Sequence, residues 1–126
     1  MEWVREIDEL HRFFEAWFLG EESSLDRADS AFAPGFTHIG PDGEYRNRTQ
    51  VMSMLRDGRG HSQGIGITTS EHRLVLETAE GIVATYVETH DLSEARNRRL
   101  TTVVFVPEPA APNGLHWLHA QETWIP

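Results

Sequence analysis

The chain has 126 residues and a mass of 14.4 kDa, which fits one domain spanning residues 1–126 and excludes multi-domain machinery. Twenty acidic residues against eleven basic ones give a formal net charge of −9, so nucleic acid and anionic membrane surfaces are poor partners. Cysteine is absent and all eleven basic residues are arginine, which excludes disulfides, thiolate catalysis and lysine Schiff bases. With neither a basic leader nor a long apolar stretch at the N-terminus, we expect a cytoplasmic protein.

The first twenty residues predict an amphipathic helix that ends at Gly20. Ser23 and Asp26 resemble a capping box, which indicates a second, short helix that ends at Pro34 and Gly35. The apolar stripe of the first helix follows a three- and four-residue spacing and consists of Val4, Ile7, Leu10, Phe14, Trp17 and Phe18.

A hairpin and a third helix follow. The segments Phe36–Ile39 and Glu44–Arg46 flank a Gly-Pro-Asp-Gly turn, in which proline presets one dihedral and glycine tolerates positive φ. Asn47 with Gln50 is a further helix start signal, and Gly58 marks the end of that helix.

From residue 65 onward the apolar pattern alternates with a period of two, as in strands. Four runs rich in β-branched and aromatic residues span Ile65–Thr78, Gly81–Leu92, Arg98–Val106 and Leu115–Ile125. Consecutive strands with short connections predict an antiparallel meander. Because the helices precede the sheet, the pattern favours an α+β fold over a doubly wound α/β fold.

Two segments carry a resemblance to a known superfamily. Residues Phe32–Gly43 (FAPGFTHIGPDG), with a helix beginning near Thr49, and the closing residues Trp117–Trp124 (WLHAQETW) resemble SnoaL-like and nuclear transport factor 2-like proteins. Within that superfamily the chain is similar to small stand-alone relatives of the calcium/calmodulin-dependent kinase II association domain. The resemblance implies a cone-shaped, cystatin-like fold with N-terminal helices packed on a strongly curved antiparallel sheet. The superfamily holds isomerases, dehydratases, hydrolases, cyclases and non-enzymatic assembly domains, so the resemblance predicts the fold and leaves the reaction open.

Three residues on one face of the Gly81–Leu92 strand are catalytic candidates. Tyr86, Glu88 and His90 alternate along the strand and therefore share a side. If that side faces a cavity, burial would raise the pKa of Glu88 and make it a general acid or base near neutral pH, with His90 as its proton partner and Tyr86 as an oxyanion donor. The alternative is a solvated or oligomeric face on which the three residues make ordinary cross-strand pairs.

Six further residues are candidate ligand contacts. Two are helix aromatics that also suit the lid and core of the cone, one is a histidine of the first hairpin strand that equally suits a backbone-bonded buried position, and three lie on the last two strands. These candidates are Phe14, Trp17, His38, Thr102, His119 and Gln121.

A metal site is conceivable from His38, Glu88, His90 and His119. The sequence has none of the usual histidine spacings for metal ligation and no GxSxG nucleophile motif. We therefore predict neither a metal nor another cofactor.

The predicted function is a small-molecule pocket protein, either a binder or a lyase or isomerase that works by acid and base chemistry. The alternative is a non-catalytic oligomerisation domain whose cone is filled by its own aromatics. We also expect a homodimer through the outer face of the sheet, because the run Val103–Val106 is apolar on both faces.

Overall fold

The computed structural model describes all 126 residues and contains three α-helices and one six-stranded sheet, which is the predicted α+β architecture. The strand order is β2-β1-β6-β5-β4-β3. No helix is both long enough and apolar enough to cross a membrane. The elements in chain order are α1 (Glu2–Phe18), α2 (Asp26–Ala31), β1 (Phe32–Ile39), β2 (Tyr45–Asn47), α3 (Arg48–Asp57), β3 (Gly66–Thr78), β4 (Gly81–Leu92), β5 (Ala95–Pro107), a short 3₁₀ turn (Pro112–Gly114) and β6 (Leu115–Trp124).

Helix α1 is amphipathic, as its spacing predicts. Its buried face is rotated relative to the predicted stripe, because Trp3 and Phe13 are buried whereas Phe14 and Phe18 are only partly buried. This face also includes two polar residues, Glu6 and His11, which are 0% and 3% exposed. Both must find partners inside the protein, since a buried polar group without one is strongly destabilising.

The carboxylate of Glu6 finds its partners on three other elements. Its Oε1 atom accepts hydrogen bonds from Arg27 Nη2 at 2.6 Å and from Asn113 Nδ2 at 2.9 Å. Its Oε2 atom accepts one from Trp117 Nε1 at 2.9 Å. Glu6 thereby joins α1 to α2, to the 3₁₀ turn and to β6.

Only one of the two predicted helix start signals acts as a side-chain cap. In α3 the side chains of Asn47 and Gln50 accept hydrogen bonds from each other's backbone N–H, both at 2.9 Å, so the predicted start signal is confirmed and forms a capping box. At α2 the predicted cap by Ser23 is wrong. Instead, the Ser24 hydroxyl accepts a hydrogen bond from the backbone N–H of Asp26, at 3.1 Å.

The strands β3 to β6 form the predicted antiparallel meander. The prediction of an entirely antiparallel sheet is wrong at one pairing, because β1 runs parallel to β6. These two strands are far apart in the sequence, so no hairpin constrains their relative direction. Pro34 and Gly35 do not end a helix but lie within β1, where the pairing with β6 shifts between Phe32 and Thr37 and a proline is tolerated.

A β-bulge in β6 changes which of its side chains face the helices. Phe105 of β5 pairs with Trp117, but the next pairing is Val104 with His119, so Leu118 is an extra residue. Trp117 therefore shares the helix-facing side of the sheet, here called the inner face, with Ala120 rather than with His119. Such bulges also bend the strands that carry them, which suits a cone-shaped sheet.

Candidate functional site

A cavity of about 270 Å³ lies between the helices and the inner face of the sheet. Of its 20 lining residues, ten are hydrophobic and come from α1, α3, β1 and β6. The apolar part consists of Leu10, Phe14, Phe18, Phe32, Phe36, Val51, Met54, Leu55, Trp117 and Ala120. The polar part consists of His11, His38, Arg46, Glu88, His90, Arg99, Thr101 and Glu122.

The first polar cluster of the cavity centres on Glu88 in β4. Glu88 Oε1 lies 3.0 Å from Nε2 of His11, which α1 brings to the sheet. Glu88 Oε2 lies 2.5 Å from Nε2 of His90, which lies two residues further along the same strand and shares its inner face. Both oxygens of this buried carboxylate are thus engaged by an imidazole.

The second polar cluster centres on Glu122 in β6. Glu122 Oε2 lies 2.5 Å from Nε2 of His38 in β1. Glu122 Oε1 accepts a hydrogen bond from Arg99 Nη1 in β5 at 3.1 Å. The guanidinium of Arg99 also lies over the ring of Trp124, 4.7 Å from its centroid. The cavity therefore contains two carboxylates, each held by two basic side chains.

His11 carries a positive charge in this arrangement. Its Nδ1 lies 2.7 Å from the backbone carbonyl of Ile7 and its Nε2 faces Glu88, and both of these oxygens can only accept. Burial lowers the pKa of His11, but the charge of Glu88 and the hydrogen bonds to Glu88 and Ile7 raise it by more, so the net shift is upward. His11 and Glu88 form a buried ion pair.

The pKa of Glu88 shifts opposite to the direction expected from the sequence. Burial raises it, but the charge of His11 and the hydrogen bonds from His11 and His90 outweigh burial and hold it well below its ordinary value. Glu88 is therefore a permanent anion near neutral pH rather than a general base. Sequence reasoning missed the counter-charge because His11 belongs to α1, 77 residues away in the chain.

Tyr86 is 1% exposed and does not line the cavity. Its hydroxyl lies 3.3 Å from Nε2 of His11, behind the ion pair. Burial raises the pKa of Tyr86 well above its ordinary value, and the nearby carboxylates of Glu88 and Glu122 raise it further. Tyr86 thus stays a neutral phenol that supports His11.

Three of the four buried side-chain polar atoms without a hydrogen-bond partner belong to cavity residues. These atoms are Nδ1 of His38, Nε of Arg99 and Oγ1 of Thr101. A folded protein pairs nearly all of its buried polar atoms, with water or a ligand where protein groups are lacking. Their concentration around one cavity therefore marks it as the candidate site.

The structure brings together four of the predicted site residues and separates the others. Glu88, His90, Phe14 and His38 line the cavity. Trp17 does not, because its Nε1 donates to the carbonyl of Leu55 at 2.6 Å and its ring stacks on Phe13.

The remaining predicted ligand residues lie on the outer face of the sheet. Thr102 pairs with Gln121, and its neighbour Thr101 lines the cavity instead. Uninterrupted alternation from the buried Trp117 would put His119 and Gln121 on the inner face, but the bulge at Leu118 reverses the facing of the residues that follow it. His119 lies 2.7 Å from the hydroxyl of Thr37 and takes no part in the cavity.

Five polar cavity residues are not among the predicted site residues: His11, Arg46, Arg99, Thr101 and Glu122. A signal exists for His11, which follows Ile7 by four residues and so falls within the apolar stripe of α1. For Glu122 no local signal exists, since its facing depends on the bulge.

The ion pair makes stability depend on pH. The pKa of His11 is raised above 6.5 in the folded protein. The contribution of its charge to the free energy of unfolding is therefore complete below pH 6.5 and is lost as the pH rises through the pKa of the folded protein. The contribution of Glu88, whose pKa is lowered from 4.5, is lost only in acid. Replacing His11→Gln should therefore reduce the free energy of unfolding by about 3 kcal/mol near pH 6, and by clearly less near pH 9. Urea unfolding followed by circular dichroism measures both values.

The matched control is His116→Gln, which makes the same substitution at a histidine that does not line the cavity. It should change the free energy of unfolding by less than about 1 kcal/mol at either pH. An equal loss for His11→Gln at both pH values would contradict a charged His11.

No protein-family model and no curated protein matches the sequence. Solved structures do match. An NTF2-like protein of unknown function from Pseudomonas aeruginosa has a TM-score of 0.92 and 26% identity, with 100% of both chains covered. The calcium/calmodulin-dependent kinase II hub of S. rosetta has a TM-score of 0.78 and 16% identity, covering 98% of this chain and 95% of the hub.

A protein from Caulobacter vibrioides with a cystatin-like fold has a TM-score of 0.68 and 14% identity, covering 90% of this chain and 82% of that one. These matches extend over 90% to 100% of the chain. The chain therefore has the NTF2-like, cystatin-like fold, which confirms the superfamily that the sequence resemblance indicated.

Proposed function

We propose that this protein binds a small molecule in its cavity and uses His90 to move a proton on it, as a lyase or isomerase of the acid and base type. The supporting observation is the cavity itself, with an apolar lining, two carboxylate clusters and three unpartnered polar atoms. Enclosed apolar pockets with a few convergent polar groups are the usual form of ligand sites.

The geometry of His90 suits proton transfer. A carboxylate only accepts, so Nε2 of His90 carries the proton of its hydrogen bond to Glu88. This leaves Nδ1 as the atom that takes up or gives a proton, with the ring held in one tautomer by Glu88. Glu88 is thus a positioning residue; it is held in turn by His11, which the Tyr86 hydroxyl contacts from behind.

Filling the cavity should abolish binding. Ala120 is 5% exposed and lines the cavity, so Ala120→Leu places three more carbons in the ligand volume. A compound that binds the native state raises the melting temperature, by an amount that grows with its concentration over Kd. In a thermal-shift screen of small aromatic and polar compounds, the shifts seen with the wild type should be lost in this variant.

The control is Gln121→Leu, the neighbouring position on the outer face. It adds a comparable side chain outside the cavity, so the thermal shifts should persist. Shifts that survive Ala120→Leu would place the binding site elsewhere and overturn the cavity proposal.

His90 should be needed for proton transfer but not for binding. Compounds that bind are incubated in D₂O, and deuterium incorporation at carbon is followed by NMR. His90→Gln should slow this exchange at least about a hundredfold, the usual scale of a general base, while thermal shifts are retained. His116→Gln should leave exchange unchanged, and undiminished exchange in His90→Gln would remove His90 from the reaction.

A second candidate function, assembly through the outer face of the sheet, has a separate observation in its favour. Val104 and Val106 are half-buried on this face and Leu100 is 46% exposed, whereas Val103 and Phe105 are fully buried on the inner side. An exposed apolar surface on a sheet suits a second copy of the chain. The S. rosetta structure is named as a hub, which agrees with this role.

If that face forms a homodimer, Leu100→Glu should convert it to a monomer, because a carboxylate would be buried at an apolar interface. Size-exclusion chromatography with light scattering measures the mass. Leu92→Glu is the control, since Leu92 is similarly exposed, at 41%, but lies on the inner face beyond the cavity. A monomeric wild type would overturn the assembly role.

A further inference from the structure

The polar wall of the cavity is electrically balanced before any ligand enters. The charge of Glu88 is matched by His11, and that of Glu122 by Arg99. Arg46, the remaining lining arginine, pairs with Glu44 at 2.7 Å. Each of these three lining cations therefore has an opposite charge beside it, and neither lining carboxylate is left without a basic partner.

A charged ligand would disturb this balance. A carboxylate or ammonium group leaves its hydration shell on entering and would find no unmatched opposite charge in exchange. An acidic cavity lining would attract a cation, and an arginine would attract an anion, only if those charges were free. Here all four oxygens of the two carboxylates already have basic partners.

The unpartnered atoms define which hydrogen bonds are missing. Nε of Arg99 can only donate, and the hydroxyl of Thr101 can both donate and accept. Nε2 of His38 faces a carboxylate oxygen, which only accepts, so this tautomer carries its proton on Nε2 and offers Nδ1 as an acceptor. Arg99 and His38 bind opposite oxygens of the same Glu122 carboxylate, so both residues belong to the second polar cluster of the cavity. A hydroxyl group can pair with either nitrogen, whereas a carboxylate lacks the proton for His38 and an ammonium lacks the lone pair for Arg99.

The volume sets the size of the molecule. Sites for drug-sized ligands occupy roughly 300–1,000 Å³, and this cavity of about 270 Å³ lies below that range. Its apolar lining includes Phe14, Phe36 and Trp117, whose rings suit the faces of another ring. The space and the lining together favour a molecule with one ring.

We infer that the ligand of the cavity is an uncharged, single-ring molecule with a hydroxyl group, which is held by Arg99, Thr101 and His38 while its ring packs on the apolar lining. This inference rests on the proposed function of the cavity as a small-molecule site and specifies the chemical class that it takes.

Four probes of nearly equal size test the class: benzyl alcohol, toluene, benzoate and benzylamine. Their Kd values are measured at pH 7 by ligand-observed NMR titration of the full chain. Benzyl alcohol should bind roughly threefold to tenfold more tightly than toluene, the scale of one net hydrogen bond. Benzoate and benzylamine should bind at least about tenfold more weakly than benzyl alcohol, because each brings an unmatched charge.

A pair of adjacent threonines supplies matched variants. Thr101→Val removes one of the three proposed partners of the ligand hydroxyl with little change of shape, so the preference for benzyl alcohol over toluene should shrink while toluene binding remains. Thr102→Val makes the same change on the outer face and should leave both affinities as in the wild type. Retained toluene binding also shows that the Thr101 variant is folded with its cavity intact.

The outcomes separate the two proposals. If benzoate or benzylamine binds most tightly, or if benzyl alcohol binds no better than toluene, the ligand class is wrong while the cavity remains a binding site. An unchanged alcohol preference in Thr101→Val would likewise overturn the assignment of the hydroxyl contact. If none of the four probes binds, the proposed function of the cavity fails together with the ligand class.

Discussion

The buried ion pair between His11 and Glu88 is the interaction on which the cavity depends. It links the middle of α1 to the centre of the sheet, and neither partner is tolerable there alone, because an isolated buried charge is strongly destabilising. Five residues earlier in the chain, Glu6 links the same helix to α2 and β6. Two polar contacts on an otherwise apolar face therefore determine the rotation of α1 over the sheet.

This rotation decides what fills the space below α1. Trp17, which is large enough to occupy the cavity, is directed to α3 by its hydrogen bond to the Leu55 carbonyl. Tyr86 is held behind His11. The cavity remains because these two large aromatics have partners elsewhere, and the smaller Ala120 and Thr101 form part of its sheet wall.

The same pairing assigns the chemical roles. A carboxylate whose pKa is held low by a neighbouring cation is a poor general base, so Glu88 serves to orient His90. Glu122 orients His38 in the same way, and Arg99 supplies its counter-charge. The cavity therefore presents imidazole nitrogens and neutral hydrogen-bonding groups to its contents, although its lining contains five ions.

Much of the fold could be predicted from the sequence, because helix spacing, turn residues and strand alternation are local signals. Such signals predicted the amphipathic α1, the helix start at Asn47 and Gln50, and the meander from β3 to β6. Along β4 the alternation also correctly groups Tyr86, Glu88 and His90 on one face, and two of these line the cavity.

What the sequence by itself determined is thus the set of elements and the side of β4 that carries ionisable groups. Only the tertiary structure decided which side chains meet. The parallel pairing of β1 with β6 brings His38 to Glu122, α1 brings His11 to Glu88, and one extra residue at Leu118 exchanges His119 and Gln121 for Ala120 and Glu122. The physical reason is that strand alternation and helix spacing extend over a few residues, whereas charge pairing acts through space between residues that are distant in the chain.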